Sequence, residues 1–166
     1  MAIPINIDDL VNLKVIESAR VEFKANWNPE PCLHTICAFV NDIDNWGGGY
    51  VVLGIKAQGG APCLPVAGIT KGSIDKINRE LLNICNLIEP RYIPVTEHVM
   101  FGGKDLFVIW IPGGKNRPYK CPDARRTIGR FLISKRETGI MLLGSKKPDK
   151  SGFLLRLVRK ASQARL

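Results

Sequence analysis

The stretch ESARVEFK (residues 17–24), taken together with GGGYVVLGI (residues 47–55), decides the fold. In the first, apolar Val21 and Phe23 alternate with polar Arg20, Glu22 and Lys24. That period of two marks a half-buried strand, with Glu22 and Lys24 expected on its solvent face. In the second, Gly47, Gly48 and Gly49 release the backbone into an apolar, β-branched run over residues 50–55, which reads as a central strand covered on both faces. Between them, Leu33, Ile36, Cys37 and Val40 recur at i, i+3, i+4 and i+7, the stripe of an amphipathic helix. Pro31 suits its first position, and it should end near residues 41–44. Two carboxylates, Glu17 and Glu22, therefore stand beside a strand followed by a helix, a glycine turn and a second strand. Such a layout is able to hold a cation or to contact a phosphate chain.

Working outward, Asp8 or Asp9 is expected to cap a short opening helix through Leu10 and Leu13. Beyond the second strand and a Gly/Pro-rich stretch, Ser73 is placed to cap a helix whose buried stripe is Ile74, Ile77, Leu81, Ile84, Cys85 and Ile88. Asp75 sits in its first turn, at the positive end of the dipole, and Glu89-Pro90 stops it. Strands are expected over residues 93–100 and 105–111, joined by a hairpin at Gly102-Gly103. Residues 113–118 read as a basic loop and residues 127–134 as a last strand. Residues 144–152 are a polar linker, and residues 153–165 a short basic helix with Phe153, Leu154, Leu157 and Val158 on one face. Strands and helices do not alternate strictly, so the fold class is α+β: a mixed β-sheet with flanking helices, not a doubly wound sheet. The domain is expected to span residues 1–143, with residues 144–166 appended as linker and helix.

At 166 residues the chain is large enough for one domain with a real core. No apolar run approaches the roughly 20 residues of a membrane helix, so no membrane partner is expected. The first ten residues hold no basic stretch followed by an apolar block, and the five cysteines form no C-x-x-C pair. Both features point to a reducing cytoplasm and free thiols. Cys32, His34 and Cys37 lie close in sequence, but Cys37 falls on the apolar helix face and no second ligand pair accompanies them.

The net charge of +9 is lopsided. Residues 1–112 carry 9 Lys+Arg against 12 Asp+Glu, whereas residues 113–166 carry 15 against 3. A concentrated positive block is the footprint of a polyanion binder. Lys115, Arg117, Lys120, Arg125, Arg126, Arg130, Lys135 and Arg136 flank the expected final strand, with Lys24 on the first. Tyr119 and Phe131 are interleaved, and Trp46 sits at the glycine turn. Cations neutralise phosphates and aromatics stack on splayed bases. Trp27 and Trp110 read as packing residues. Nothing marks base-specific hydrogen bonding, so binding to DNA or RNA should be weakly sequence-selective.

ESARVEFK, TICAFVNDIDNWGGGYVVLGI (residues 35–55), FVIWIP (107–112), RPYK (117–120) and FLISKRETG (131–139) occur in an order that resembles the Schlafen-type AlbA-like domain, over residues 10–140 or so. That domain was once described as a divergent AAA-type ATP-binding module. The resemblance implies a mixed sheet with flanking helices and nucleic-acid association, in bacterial regulator-like proteins connected with transcription. It also implies, for some members, a ribonuclease that uses Mg²⁺ or Mn²⁺ on three carboxylates. Glu17 and Glu22 match the first two, as catalytic and metal-binding residues. At the third place, Gly54-Ile55 is followed by Lys56, Ala57 and Gln58 instead of an acid. A two-metal site needs several oxygen ligands to hold its ions about 4 Å apart. Asp42 and Asp44 are the remaining candidates for that ligand. Parity adds a condition: five apart on one strand, Glu17 and Glu22 would point to opposite faces unless Glu17 lies in a bend before the strand.

The older ATP-binding label finds no support in the glycines themselves. A P-loop leads from a strand into a helix through G-x-x-x-x-G-K-[ST]; here the glycines lead from a helix into a strand. The preferred reading is a nucleic-acid-binding domain that requires no cofactor. A divalent-metal nuclease and an ATP-binding or protein-interaction module, able to form a homo-oligomer through the last helix, are the alternatives.

Overall fold

The computed structural model describes residues 3–12 and 20–122 in full, and residues 131–134 and 140–143 by their backbone. Short helix α1 (Ile7–Val11) precedes strand β1 (Val21–Lys24), helix α2 (Pro29–Asn41) and strand β2 (Gly49–Leu53). A small hairpin, β3 (Ala57–Gln58) and β4 (Ala61–Pro62), and a 3-10 turn (Lys71–Ser73) lead into α3 (Ile74–Cys85). Strands β5 (Val95–Phe101) and β6 (Lys104–Ile111) follow, then β7 (Cys121–Pro122), β8 (Phe131–Ser134) and β9 (Ile140–Leu143). The main sheet runs β1-β2-β6-β5; β1 and β2 are parallel and the other neighbours antiparallel. A second sheet runs β7-β8-β9. This is the expected mixed α+β architecture.

Register distributes the core. Val51 and Leu53 pair with Ile109 and Phe107, and these four side chains meet Leu33, Ile36, Val40, Ile77 and Leu81 from α2 and α3. Tyr50 and Val52 pair with Trp110 and Val108, facing the other way toward Leu10 and Val11 of α1. The central strand β2 is buried along its whole length, as its unbroken apolar run requires. Ile36, Cys37 and Val40 are fully buried, so the i, i+3, i+4 stripe is the face on the sheet. Burying one large aliphatic side chain of this kind contributes roughly 1.5–3 kcal/mol.

Local boundaries differ from expectation where short polar side chains compete for backbone groups. The first helix is capped by Asn6, whose Oδ1 accepts from the Asp8 amide at 3.0 Å, and not by Asp8 or Asp9. α2 starts at Pro29, two residues before the expected Pro31, with Asn28 at its N-cap. Ser73 does not cap α3: it adopts helical angles and donates its hydroxyl to the Thr70 carbonyl at 2.5 Å, closing the 3-10 turn. The hairpin β3–β4 and strand β9 lie where no strand was expected. The C-terminal linker and helix (residues 144–166) lie outside the described residues, as do residues 127–130 of the expected last strand. No described helix is long and apolar enough to cross a membrane.

Candidate functional site

Glu22 and Lys24 share one face of β1, but it is the face toward α2 and not open solvent. The Lys24 ammonium donates to Glu22 Oε1 at 2.5 Å, with the lysine side chain 15% and the glutamate side chain 40% exposed. Thr35 Oγ1, on α2, stands 2.9 Å from Glu22 Oε2 and 2.9 Å from the Pro31 carbonyl. Its single proton serves one of these acceptors at a time. Among the described residues β1 pairs only with β2, at the edge of the sheet, and α2 reaches over it and converts an expected solvent face into a half-buried polar seam.

These contacts decide what the carboxylate region can hold. Both oxygens of Glu22 have internal donors within reach, one of them a cation. Lys56, at the third-carboxylate place, is exposed beyond the end of β2. Asp42 is engaged in the turn instead: Oδ1 accepts from the Trp46 amide at 2.9 Å and Oδ2 from the Gly47 amide at 3.0 Å. Glu17 lies outside the described residues. Among the described residues no three His, Cys, Asp or Glu side chains converge on a point where a metal ion would bind.

A different convergence occurs at the other end of the seam, where α2 gives way to the glycine turn. Asp42 leaves the helix in the left-handed region (φ 35°). Its carboxylate fastens residues 46 and 47, while its carbonyl accepts from Arg117 Nη1 at 2.6 Å; the Asn41 carbonyl accepts from the same atom at 3.2 Å. A cation on the last carbonyls of a helix meets the negative end of the dipole. From the opposite side Arg20 Nε donates to the Gly48 carbonyl at 2.9 Å. The Gly114 amide bonds the Val40 carbonyl at 2.7 Å and docks the loop that carries exposed Lys115 and Arg117. Trp46 is 42% exposed on this corner. Three sequence-distant segments, at residues 20, 42–48 and 113–119, thus present cations and one aromatic together.

Among the other expected binders, Lys24 is held on Glu22, and Lys120 is half-buried, its backbone pairing with Glu89 in both directions. Arg125, Arg126, Arg130, Lys135 and Arg136 lie outside the described residues, as does the side chain of Phe131. Tyr119 is no stacking platform: it is 4% exposed, and its ring meets Tyr92 edge-on at 5.7 Å. Trp27 donates Nε1 to Glu80 at 2.7 Å and Trp110 stacks on Tyr50 at 6.5 Å, so both are packing residues as expected. Gly47 and Gly48 serve the turn, and Gly49 opens β2. Arg20 was not singled out in the sequence; its position just ahead of the alternating strand, one sheet neighbour from the glycines, was the available signal.

The cysteines are free, and four of the five are buried. Burial pushes Cys32 up to about 12 and Cys85 up to about 11 from the ordinary 9.0. A hydrogen bond with Cys121, together with burial, raises Cys37 further. Such thiols carry no nucleophilic thiolate at neutral pH. Because the folded values are raised, their contribution to stability is complete below the ordinary value and is lost as pH climbs toward about 11–12. Thermal melts are expected to show stability falling between pH 8 and pH 10, by about 1 kcal/mol for each of Cys32 and Cys85. Serine at both positions should flatten that slope, and a slope unchanged by the double replacement would count against the assignment.

Residues 17–138 match the family described as Schlafen, AlbA_2. No curated protein matches the chain. Among solved structures, the solution structure of the N-terminal domain of a putative ATP-dependent DNA helicase RecG-related protein from Nitrosomonas europaea is 23% identical. The match covers 85% of this chain and 90% of that one, with a TM-score of 0.57. The DIP2311 protein from Corynebacterium diphtheriae is 16% identical over 72% of this chain and 21% of that one, with a TM-score of 0.48. The first of these is a likeness of fold.

Proposed function

Because the chain belongs to the Schlafen, AlbA_2 family, we propose that it is a nucleic-acid-binding domain of a bacterial regulator-like protein, one that grips phosphates with little sequence selectivity and does not cut. The observation that carries this reading is the charge: 15 Lys+Arg against 3 Asp+Glu from residue 113 onward. The first described members of that block, Lys115 and Arg117, sit on the loop docked at the end of α2, across the glycine turn from Arg20. The Nitrosomonas europaea neighbour, the N-terminal domain of a protein described as related to the DNA helicase RecG, agrees with a nucleic-acid setting. Cleavage is the weaker reading, because Glu22 is occupied by Lys24 and Thr35 and no acid stands at residue 56. ATP binding is weaker still, since the glycines lead from a helix into a strand and the Gly47 amide is taken by Asp42. The domain proper is taken as residues 1–143, with residues 144–166 as its appendage.

A gel-shift panel of single- and double-stranded DNA and RNA, with and without Mn²⁺, tests binding and cutting together. Affinity should fall by about 10²- to 10³-fold between about 50 and 200 mM salt if four or five phosphates are contacted. No shift with any of the four nucleic acids, or a shift indifferent to salt, would sink the binding reading. Cleavage that needs Mn²⁺, stops with EDTA and disappears in Glu22→Ala would sink the non-catalytic part.

A further inference from the structure

We propose that the corner at the end of α2 is a single-strand subsite, in which one unpaired base lies on Trp46 and a neighbouring phosphate sits against Arg20 and Arg117. This inference rests on the nucleic-acid reading above and adds to it a place and a strand type.

The turn is rigid for an exposed loop. Asp42 holds the backbone of residues 46 and 47 through its carboxylate and holds Arg117 through its carbonyl, so one residue fixes the aromatic's origin and the cation together. Arg20, anchored through Nε on the Gly48 carbonyl, brings Nη2 to within 3.2 Å of where a side chain on Gly47 would begin. An arginine held by one N–H keeps the rest of its planar fork preorganised, and less side-chain freedom is lost when a phosphate arrives. Trp46, 42% exposed and next in sequence to the Gly47 that Arg20 Nη2 approaches, offers an apolar surface on the same corner as the two guanidinium groups. That combination suits a splayed base more than a paired one, because the face of a paired base is covered by its stacked neighbours. Opposing it is Asp44, exposed on the same turn. Its carboxylate repels a phosphate and sets a limit on affinity.

The test compares a labelled single-stranded oligonucleotide with its own duplex, in DNA and RNA forms, by fluorescence anisotropy on the full chain. Trp46→Ala is expected to weaken single-strand binding by about 5- to 150-fold, the range for losing one stacked base. Its effect on the duplex should stay within about twofold. Trp46→Phe should keep most single-strand affinity, which a merely structural role for the indole would not predict. Arg117→Gln should weaken both forms and reduce the salt slope by about one phosphate, whereas Asp44→Asn should tighten both. Equal losses on single strand and duplex in Trp46→Ala, or no loss on either, overturn the subsite and leave the binding reading standing. A wild-type chain that binds neither form overturns both.

Discussion

Gly48→Ala is expected to leave little folded protein. A β-carbon at this position would stand 1.9 Å from the Ile111 carbonyl oxygen, 2.7 Å from the Gly113 nitrogen and 2.8 Å from the Pro112 carbonyl carbon. All three are backbone atoms at the end of β6 and in the turn after it, so no side chain can swing aside. Gly48 also has φ +82°, which costs a residue with a side chain about 1–2 kcal/mol even in open space. The next residue, Gly49, pairs with Ile111 in the β2–β6 ladder, so relief of the clash would pull apart the two central strands. A loss of about 4 kcal/mol or more is expected, against a total stability of about 5–15 kcal/mol for a domain of this size. Gly47→Ala is the matched control: its φ is +87°, but its nearest neighbour is only the far end of the Arg20 side chain at 3.2 Å. It should cost about 1–2 kcal/mol. Urea unfolding of the two variants separates backbone clash from torsional strain. If they melt alike, the close approach of the turn to β6 is wrong.

The contrast between these glycines shows which parts of the fold could be read from the chain. Local periodicity located every long element: alternation at residues 20–24, the apolar run of β2, the stripe of α2 and the hairpin at Gly102-Gly103. It did not say which face of β1 a helix would cover, because alternation distinguishes two faces without telling which one is dry. Glu22 and Lys24 turned inward for that reason. Caps moved to Asn6 and Asn28, where a short polar side chain or a proline just inside the helix decided a contest of small energies. The two-residue strands β3, β4 and β7 are too short to carry a period at all. The candidate site was half legible. Lys115, Arg117 and Trp46 stood out by residue type, whereas Arg20 and Asn41, whose side chain clasps the basic loop to α2, act through partners 28 and 78 positions away.

Asn41 is the larger omission, and its replacement is the second large effect. It is 3% exposed at the end of α2, and its side-chain amide pairs with Tyr119 as a strand residue would. Oδ1 accepts from the Tyr119 amide at 2.8 Å, and Nδ2 donates to the Tyr119 carbonyl at 2.9 Å and to the Cys37 carbonyl at 2.7 Å. The orientation of the amide follows from these partners: reversed, its oxygen would face two carbonyls. Alanine here removes every one of these bonds, strands the backbone N–H of a residue that is itself 4% exposed, and leaves its carbonyl only the long, weak donor Cys37 Sγ at 3.6 Å. Each buried group left unsatisfied costs about 1–3 kcal/mol, so Asn41→Ala should lose about 3–5 kcal/mol. Asn41→Asp should fare no better, because it keeps the acceptor but sets a charge against the Tyr119 and Cys37 carbonyls. The functional consequence follows from the chain between residues 117 and 119. With Tyr119 released, Arg117 no longer has a fixed approach to the α2 carbonyls, and nucleic-acid affinity should drop even in the fraction that remains folded. Hydrogen exchange at the Tyr119 amide reads the clasp directly: protection should be lost in Asn41→Ala under conditions where the β2–β6 amides stay protected. A protected Tyr119 amide, with a stability loss under about 1 kcal/mol, would mean that the basic loop is held to α2 by its other contacts and that Asn41 does not set the position of Arg117.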